Sequence, residues 1–230
     1  MINPSGYPAQ LRQVNFMTRV YAWMSIALAI TTASAYWVVT TPAIFDFIFK
    51  NPYALMVLIV VQFGLVIAIS GLLDRISFAT AVGLFLLYSL SMGCTLSIVF
   101  AIYTAQSLVT TFLVTAGTFA AMAVYGYFTK SDLTTMGNIL LMGLIGLVIA
   151  MLVNLWFKNE KFDIVLSGIG VVIFTLLIAF DSQRIKHMGQ TLLAQGQEVN
   201  KVALLGSLTL YLDFVNLFLF LLRFLGKRNE

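Results

Sequence analysis

The sequence predicts an all-α, polytopic membrane protein, and three observations carry that fold class. Hydrophobic residues make up 60% of the 230 residues and charged residues 10%, whereas an average soluble domain is about 25% charged. Mean hydropathy is +0.98. The apolar residues gather in seven runs, roughly 20–39, 52–73, 78–100, 107–128, 137–157, 163–181 and 202–222, each near the ~20 residues that cross a ~30 Å hydrocarbon core. The period-2 alternation of a barrel is absent, so the backbone must satisfy itself within helices. The expected organisation is an N-terminal tail over 1–19, a transmembrane domain over 20–223 and a short basic tail over 224–230.

Taken in order, the first twenty residues, MINPSGYPAQLRQVNFMTRV, hold prolines and arginines but no apolar core followed by a small-residue cleavage site. They read as a cytoplasmic tail, with the first span doing its own targeting. Thr41-Pro42 with Asp46 and Lys50 separates the first span from the second, Asp74-Arg75 the second from the third, and Gln106 the third from the fourth. Lys130 to Asp132, Lys158 to Lys161, and the polar stretch Ser182 to Asn200 make the later breaks; the last is the one sizeable loop expected. Gly143, Gly146, Ala150 and Asn154 form a small-residue stripe on the fifth span, and Thr111, Thr115, Thr118, Met122 and Tyr125 a seam on the fourth, both suited to close helix packing. On the seventh, Gly206, Thr209, Asp213, Asn216, Phe220 and Arg223 share a face that should look inward.

Orientation follows from basic residues in alternate loops. With the N-terminus inside, Arg12, Arg19, Arg75, Lys130, Arg184, Lys186 and Lys201 lie on the cytoplasmic side against Lys50, Lys158 and Lys161 before the tail. The tail's own Arg223, Lys227 and Arg228 pull the other way, and a re-entrant seventh segment would bring them back inside. Seven full crossings with Glu230 outside is the expected topology.

Asp181, closing GIGVVIFTLLIAFD, and Asp213, within LLGSLTLYLDFVNLFLFLL, are the candidate site residues. A carboxylate in hydrocarbon costs about 3 kcal/mol on insertion scales, so each is a functional-site hypothesis. Alternation brings Arg75, at the end of the second span, to the membrane level of Asp181, where it could hold that carboxylate ionised. Asn216 is a supporting polar group on the face of Asp213. The two aspartates lie at different depths if the sixth helix stops at Asp181 and the seventh begins near 202; they meet only if one of those ends is displaced. Cys94, the single cysteine, reads as helix packing, and the single His187 as a solvated loop residue. Dispersed basic residues give a net charge of +4 without a contiguous patch, so nucleic acid is not an expected partner. No nucleotide loop or HExxH element points to an enzyme.

The run TAGTFAAMAVYGYFTKSDLTTMGNILLMGLIGLVIAMLVN (115–154), with AFDSQRIKHM (179–188) and LYLDFVNLFLFLLR (210–223), resembles the bacterial inner-membrane branch of the transmembrane Bax inhibitor motif family, from about Arg12 to Arg228. The resemblance implies seven membrane helices with the last one central. It also implies a calcium or cation leak gated by a proton-sensitive aspartate pair, which Asp181 and Asp213 match, and a basic partner at the end of the second helix, which Arg75 is similar to. Asp181 and Asp213 would then also meet the permeating calcium ion; no other cofactor is expected.

Three readings follow from different classes. The first is a pH-sensitive passive cation leak, in which protonation of the pair acts on both gate and cation binding. The second is a membrane interaction protein modulating a membrane-bound AAA protease, as the resemblance implies for some relatives. An intramembrane aspartyl protease is the third, and the Y-D and G-x-G-D pattern such enzymes carry is missing around L-Y-L-D-F.

Overall fold

The computed structural model describes residues 9–195 and 199–229, with side chains from Gln13 onward. Among the described residues the chain forms eight helices and no strand: α1 (Ala9–Val39), α2 (Pro42–Lys50), α3 (Pro52–Gly71), α4 (Phe78–Ile102), α5 (Ala105–Phe128), α6 (Thr134–Phe157), α7 (Glu160–Ala194) and α8 (Asn200–Leu225). All but α2 are long and apolar enough to cross a membrane, giving seven candidate spans. Short polar connections start the helices by capping. Asn51 accepts from the Tyr53 amide at 3.0 Å ahead of Pro52, Ser77 from Thr80 at 3.1 Å, Thr104 from Ser107 at 3.2 Å and Asn159 from Phe162 at 3.2 Å. Each satisfies an amide that the helix itself cannot.

Three features differ from the sequence expectation. The segment Pro42 to Lys50, read as a break, is the short helix α2, held by Pro42 at its first turn and by the Lys50–Asp46 pair at 2.7 Å. The expected tail 1–19 is helical from Ala9; residues 1–8 lie outside the described residues. Most consequentially, the polar stretch after Asp181 is no loop. α7 runs on to Ala194, because Ile178, Ser182, Ile185 and Gly189 are buried at helical spacing while Arg184 and His187 between them are exposed. Hydropathy marked where hydrocarbon ends, which is not where the helix ends.

The chain forms two compact units, and α7 and α8 contribute to both. One gathers the residues up to Ile102 with Met188–Tyr211 and Asn229. In it Tyr211 is fully buried, its hydroxyl 2.7 Å from the Thr31 hydroxyl and its ring edge-on to Phe85 and Tyr88 at 6.1 and 5.9 Å. Gly93 lets α4 lie against Thr31 and Ser34 of α1. Gly189 seats on Phe16, and Gln190 donates to Gln13 at 2.9 Å, which ties the extended end of α7 to α1.

The other unit comprises Tyr103–His187 with Leu212–Arg228. Gly126 of α5 meets the Ala179 carbonyl, Gly137 of α6 the Phe180 ring and Gly170 the Phe220 ring, each leaving no room for a Cβ. Of the α6 stripe read from sequence, Gly143 touches Ile173 while Gly146 faces open space. In the α5 seam Thr111 and Thr115 are buried, whereas Tyr125 is exposed. After α8 the tail is tied down: the Thr104 amide donates to Lys227 O at 3.1 Å and the Lys227 amide to the Ser107 hydroxyl at 2.9 Å. α8 is therefore an unbroken helix whose far end lies at the α4–α5 connection. It is also the most buried of the seven candidate spans, as a central helix must be.

Candidate functional site

Asp181 and Asp213 are 7% and 5% exposed, and the extension of α7 brings them level. Asp181 stands thirteen residues before the end of α7 at Ala194, and Asp213 thirteen residues after the start of α8 at Asn200. For consecutive antiparallel spans, equal offsets from the shared connection mean equal depth, about 20 Å by helical rise. The mismatch that sequence reasoning anticipated disappears with the displaced helix end.

The two carboxyl groups lie close enough to act directly on each other. A hydrogen bond between two carboxyls needs a proton on one of them, since two carboxylates have only acceptors to offer. The second oxygen of Asp213 and the hydroxyl of Ser182 are buried and without a hydrogen-bond partner among the described residues. The site thus keeps hard oxygen donors in reserve. No group of three or more His, Cys, Asp or Glu gathers there or elsewhere among the described residues. Six to eight oxygens make a calcium cage, more than two carboxyls supply.

Arg184, one turn further along α7, is a positive charge close enough to act on Asp181. Arg75 lies exposed in the turn between α3 and α4, in the other compact unit. Asn216 donates its side-chain amide to the Leu212 carbonyl of its own helix at 2.8 Å. Its polar group is thereby satisfied within α8. Arg223, on the expected inward face, is exposed and pairs with Asp163 at 3.2 Å.

Residues not singled out from sequence hold α7 in place beside the pair. Gln183 clamps the α5–α6 connection with both ends of its amide, accepting from the Leu133 amide at 2.9 Å and donating to the Ser131 carbonyl at 2.8 Å. Lys186 donates to the Tyr127 carbonyl at 2.6 Å and lies over the Tyr127 ring at 4.9 Å. In the same connection, Thr134 hydrogen-bonds the exposed Asp132 carboxyl and holds it below its ordinary pKa. On α8, the Phe214 ring next to Asp213 packs edge-on against Phe112 and Phe119 of α5 at 5.5 and 5.6 Å. The signal for Gln183 and Lys186 was present in AFDSQRIKHM: a helix continuing past Asp181 at 3.6 residues per turn places polar groups against the neighbouring connection.

The family model described as "Inhibitor of apoptosis-promoting Bax1" matches residues 13–230. An uncharacterized protein of Borreliella burgdorferi is 51% identical over 94% of this chain and 93% of its own length. Inner membrane protein YbhL of Escherichia coli K12 is 44% identical over 93% of this chain and 92% of its own. Uncharacterized protein RP147 of Rickettsia prowazekii is 39% identical over 94% and 90%. With a match spanning nearly all of its length and seven candidate membrane spans behind it, the chain belongs to the Bax inhibitor family of multi-pass membrane proteins.

Proposed function

We propose that the protein is a passive, proton-sensitive cation leak, calcium being the cation its oxygen donors suit best, and that Asp181 and Asp213 are its gate. The observation that carries this reading is the direct contact of two buried carboxyls at one depth on consecutive spans. A charge-assisted hydrogen bond with one shared proton fastens α7 to α8 more strongly than a neutral one. A second proton leaves two neutral groups, which weakens the fastening and removes the charge that attracts a hard cation. Removing the shared proton sets two carboxylates against each other and frees their oxygens for a cation. Gate and cation site are then one object, titrating as a coupled pair.

Its place would be the bacterial inner membrane, the location in the name of the YbhL relative, with the N-terminus cytoplasmic as the basic loops favour. Calcium flux into proteoliposomes at two pH values tests the function. Flux above that of empty vesicles, changing with pH in the wild type and flattened in Asp213→Asn, is the expected result. Flux equal to that of protein-free vesicles overturns the leak and favours an interaction protein.

A further inference from the structure

A cavity of about 740 Å³ opens where α6 ends, α7 begins and α8 ends. Successive crossings bring these three helix ends to one membrane face. Val148, Leu152 and Leu155 of α6 and Ile164 of α7 give it an apolar wall, and its rim carries Lys158, Glu160, Asp163, Arg223 and Arg228. Trp156 and Phe157, on the last turn of α6, are 89% and 76% exposed. Aromatic side chains so placed settle at the headgroup level of a bilayer. The charged rim therefore lies among headgroups, and the apolar wall runs from it toward the acyl chains.

Within the rim, Arg223 and Asp163 neutralise each other through their 3.2 Å pair. Lys158 and Arg228 make no side-chain ion pair among the described residues, nor does Glu160, so the rim is left with one net positive charge. Lys158 carries a second sign of use. It is the one non-glycine residue with positive φ among those described, at 51° in the left-handed cap of α6. Glycine is the natural occupant of such a cap. A lysine kept in a conformation that disfavours any side chain points to a role for its ammonium group.

We propose that this groove binds one anionic phospholipid, with its phosphodiester between Lys158 and Arg228 and an acyl chain along the Leu152 and Leu155 wall. One negative headgroup balances the rim; a zwitterionic one leaves its positive charge uncompensated.

The test offers the purified full-length chain, in mild detergent, equal amounts of phosphatidylglycerol and phosphatidylcholine with identical acyl chains, and counts retained lipid by native mass spectrometry. The wild type should retain one phosphatidylglycerol in preference to phosphatidylcholine by on the order of tenfold, from two cations at headgroup level. Lys158→Gly separates binding from folding: glycine is at ease at that φ, so thermal stability should hold or rise while the preference falls several-fold. Lys158→Gln with Arg228→Gln should abolish the preference, and Lys50→Gln, at an exposed lysine of α2, should leave it intact. Equal retention of the two lipids by the wild type overturns the proposal, as does an undiminished preference in Lys158→Gly. Displacement of the lipid by millimolar inorganic phosphate overturns it as well, since the site would then be one for a soluble anion.

Discussion

Gly126 of α5 and Ala179 of α7 are in backbone contact: a Cβ at Gly126 would strike the carbonyl oxygen, carbonyl carbon and Cα of Ala179. The contact lies two residues before Asp181, so it sets the position of α7 beside the carboxyl pair. No flexible side chain can yield there. Gly126→Ala should therefore destabilise the protein by about 1–3 kcal/mol, the usual penalty of overpacking. Gly146→Ala on α6, where nothing lies within 4 Å, should be neutral or stabilising by up to about 1 kcal/mol, since alanine favours helix. Thermal unfolding of the two variants in the same detergent checks both signs. Equal melting temperatures would mean that α5 and α7 can separate at this point without loss.

Gln183 is a clamp whose two bonds can be read separately. Gln183→Leu keeps the bulk but leaves the buried Leu133 amide without its acceptor, a loss of about 1–3 kcal/mol for an orphaned buried donor. Hydrogen exchange should then accelerate at Leu133 and leave the α3–α4 turn unchanged. Gln183→Glu keeps an acceptor for Leu133 and loses the donor to the Ser131 carbonyl, so exchange at Leu133 should stay slow. Acceleration of equal size in both variants would assign the effect to general loosening of α7.

What the sequence disclosed and what it concealed have the same physical origin. Seven runs of about 20 apolar residues are enforced by the bilayer, so five of the seven spans were legible to within a few residues, while α1 begins earlier and α7 ends later than its apolar run. A carboxylate inside such a run breaks a costly rule, which is why Asp181 and Asp213 stood out. Beyond the hydrocarbon that constraint stops, and SQRIKHMGQTLLA could be loop or helix on composition. Its helicity rests on burial of Ile185 and Gly189, the latter against Phe16 far away in sequence. The level meeting of the aspartates depended on that one element. Arg184, Gln183 and Lys186 were concealed with it, because residues assigned to a loop have no defined face.

Topology yields a direct prediction. α8 runs unbroken over Asn200–Leu225, and the tail behind it pairs with Thr104 and Ser107 at the α4–α5 connection. An odd number of crossings puts the termini on opposite faces, and the proposed orientation has the N-terminus inside, as the basic loops favour. Reporter fusions in a bacterial host should be active on the cytoplasmic side at the N-terminus and on the outer side after Glu230. Two cytoplasmic reporters would require α8 to re-enter, and the pairing of Lys227 with Thr104 would have to be given up.

In the proposed leak, two arginines are candidates for controlling protonation of the aspartate pair, and they can be told apart. Arg184 lies one turn from Asp181 on the same helix and acts on it electrostatically; Arg75 is the residue that the family resemblance nominates. A neighbouring cation favours the charged form of a carboxyl, so its removal lets the pair keep a proton to higher pH. Arg184→Gln should therefore move the midpoint of the leak-versus-pH curve alkaline, and Lys130→Gln, in the α5–α6 connection, should leave it in place. Arg75→Ala gives the comparison. An alkaline shift there of similar size would mean that Arg75 reaches the pair in a second arrangement of the helices, while a shift in Arg184→Gln alone would make control of the pair a property of α7. A midpoint unmoved in both would remove arginine from the switch and leave burial and the mutual contact of Asp181 and Asp213 to set it.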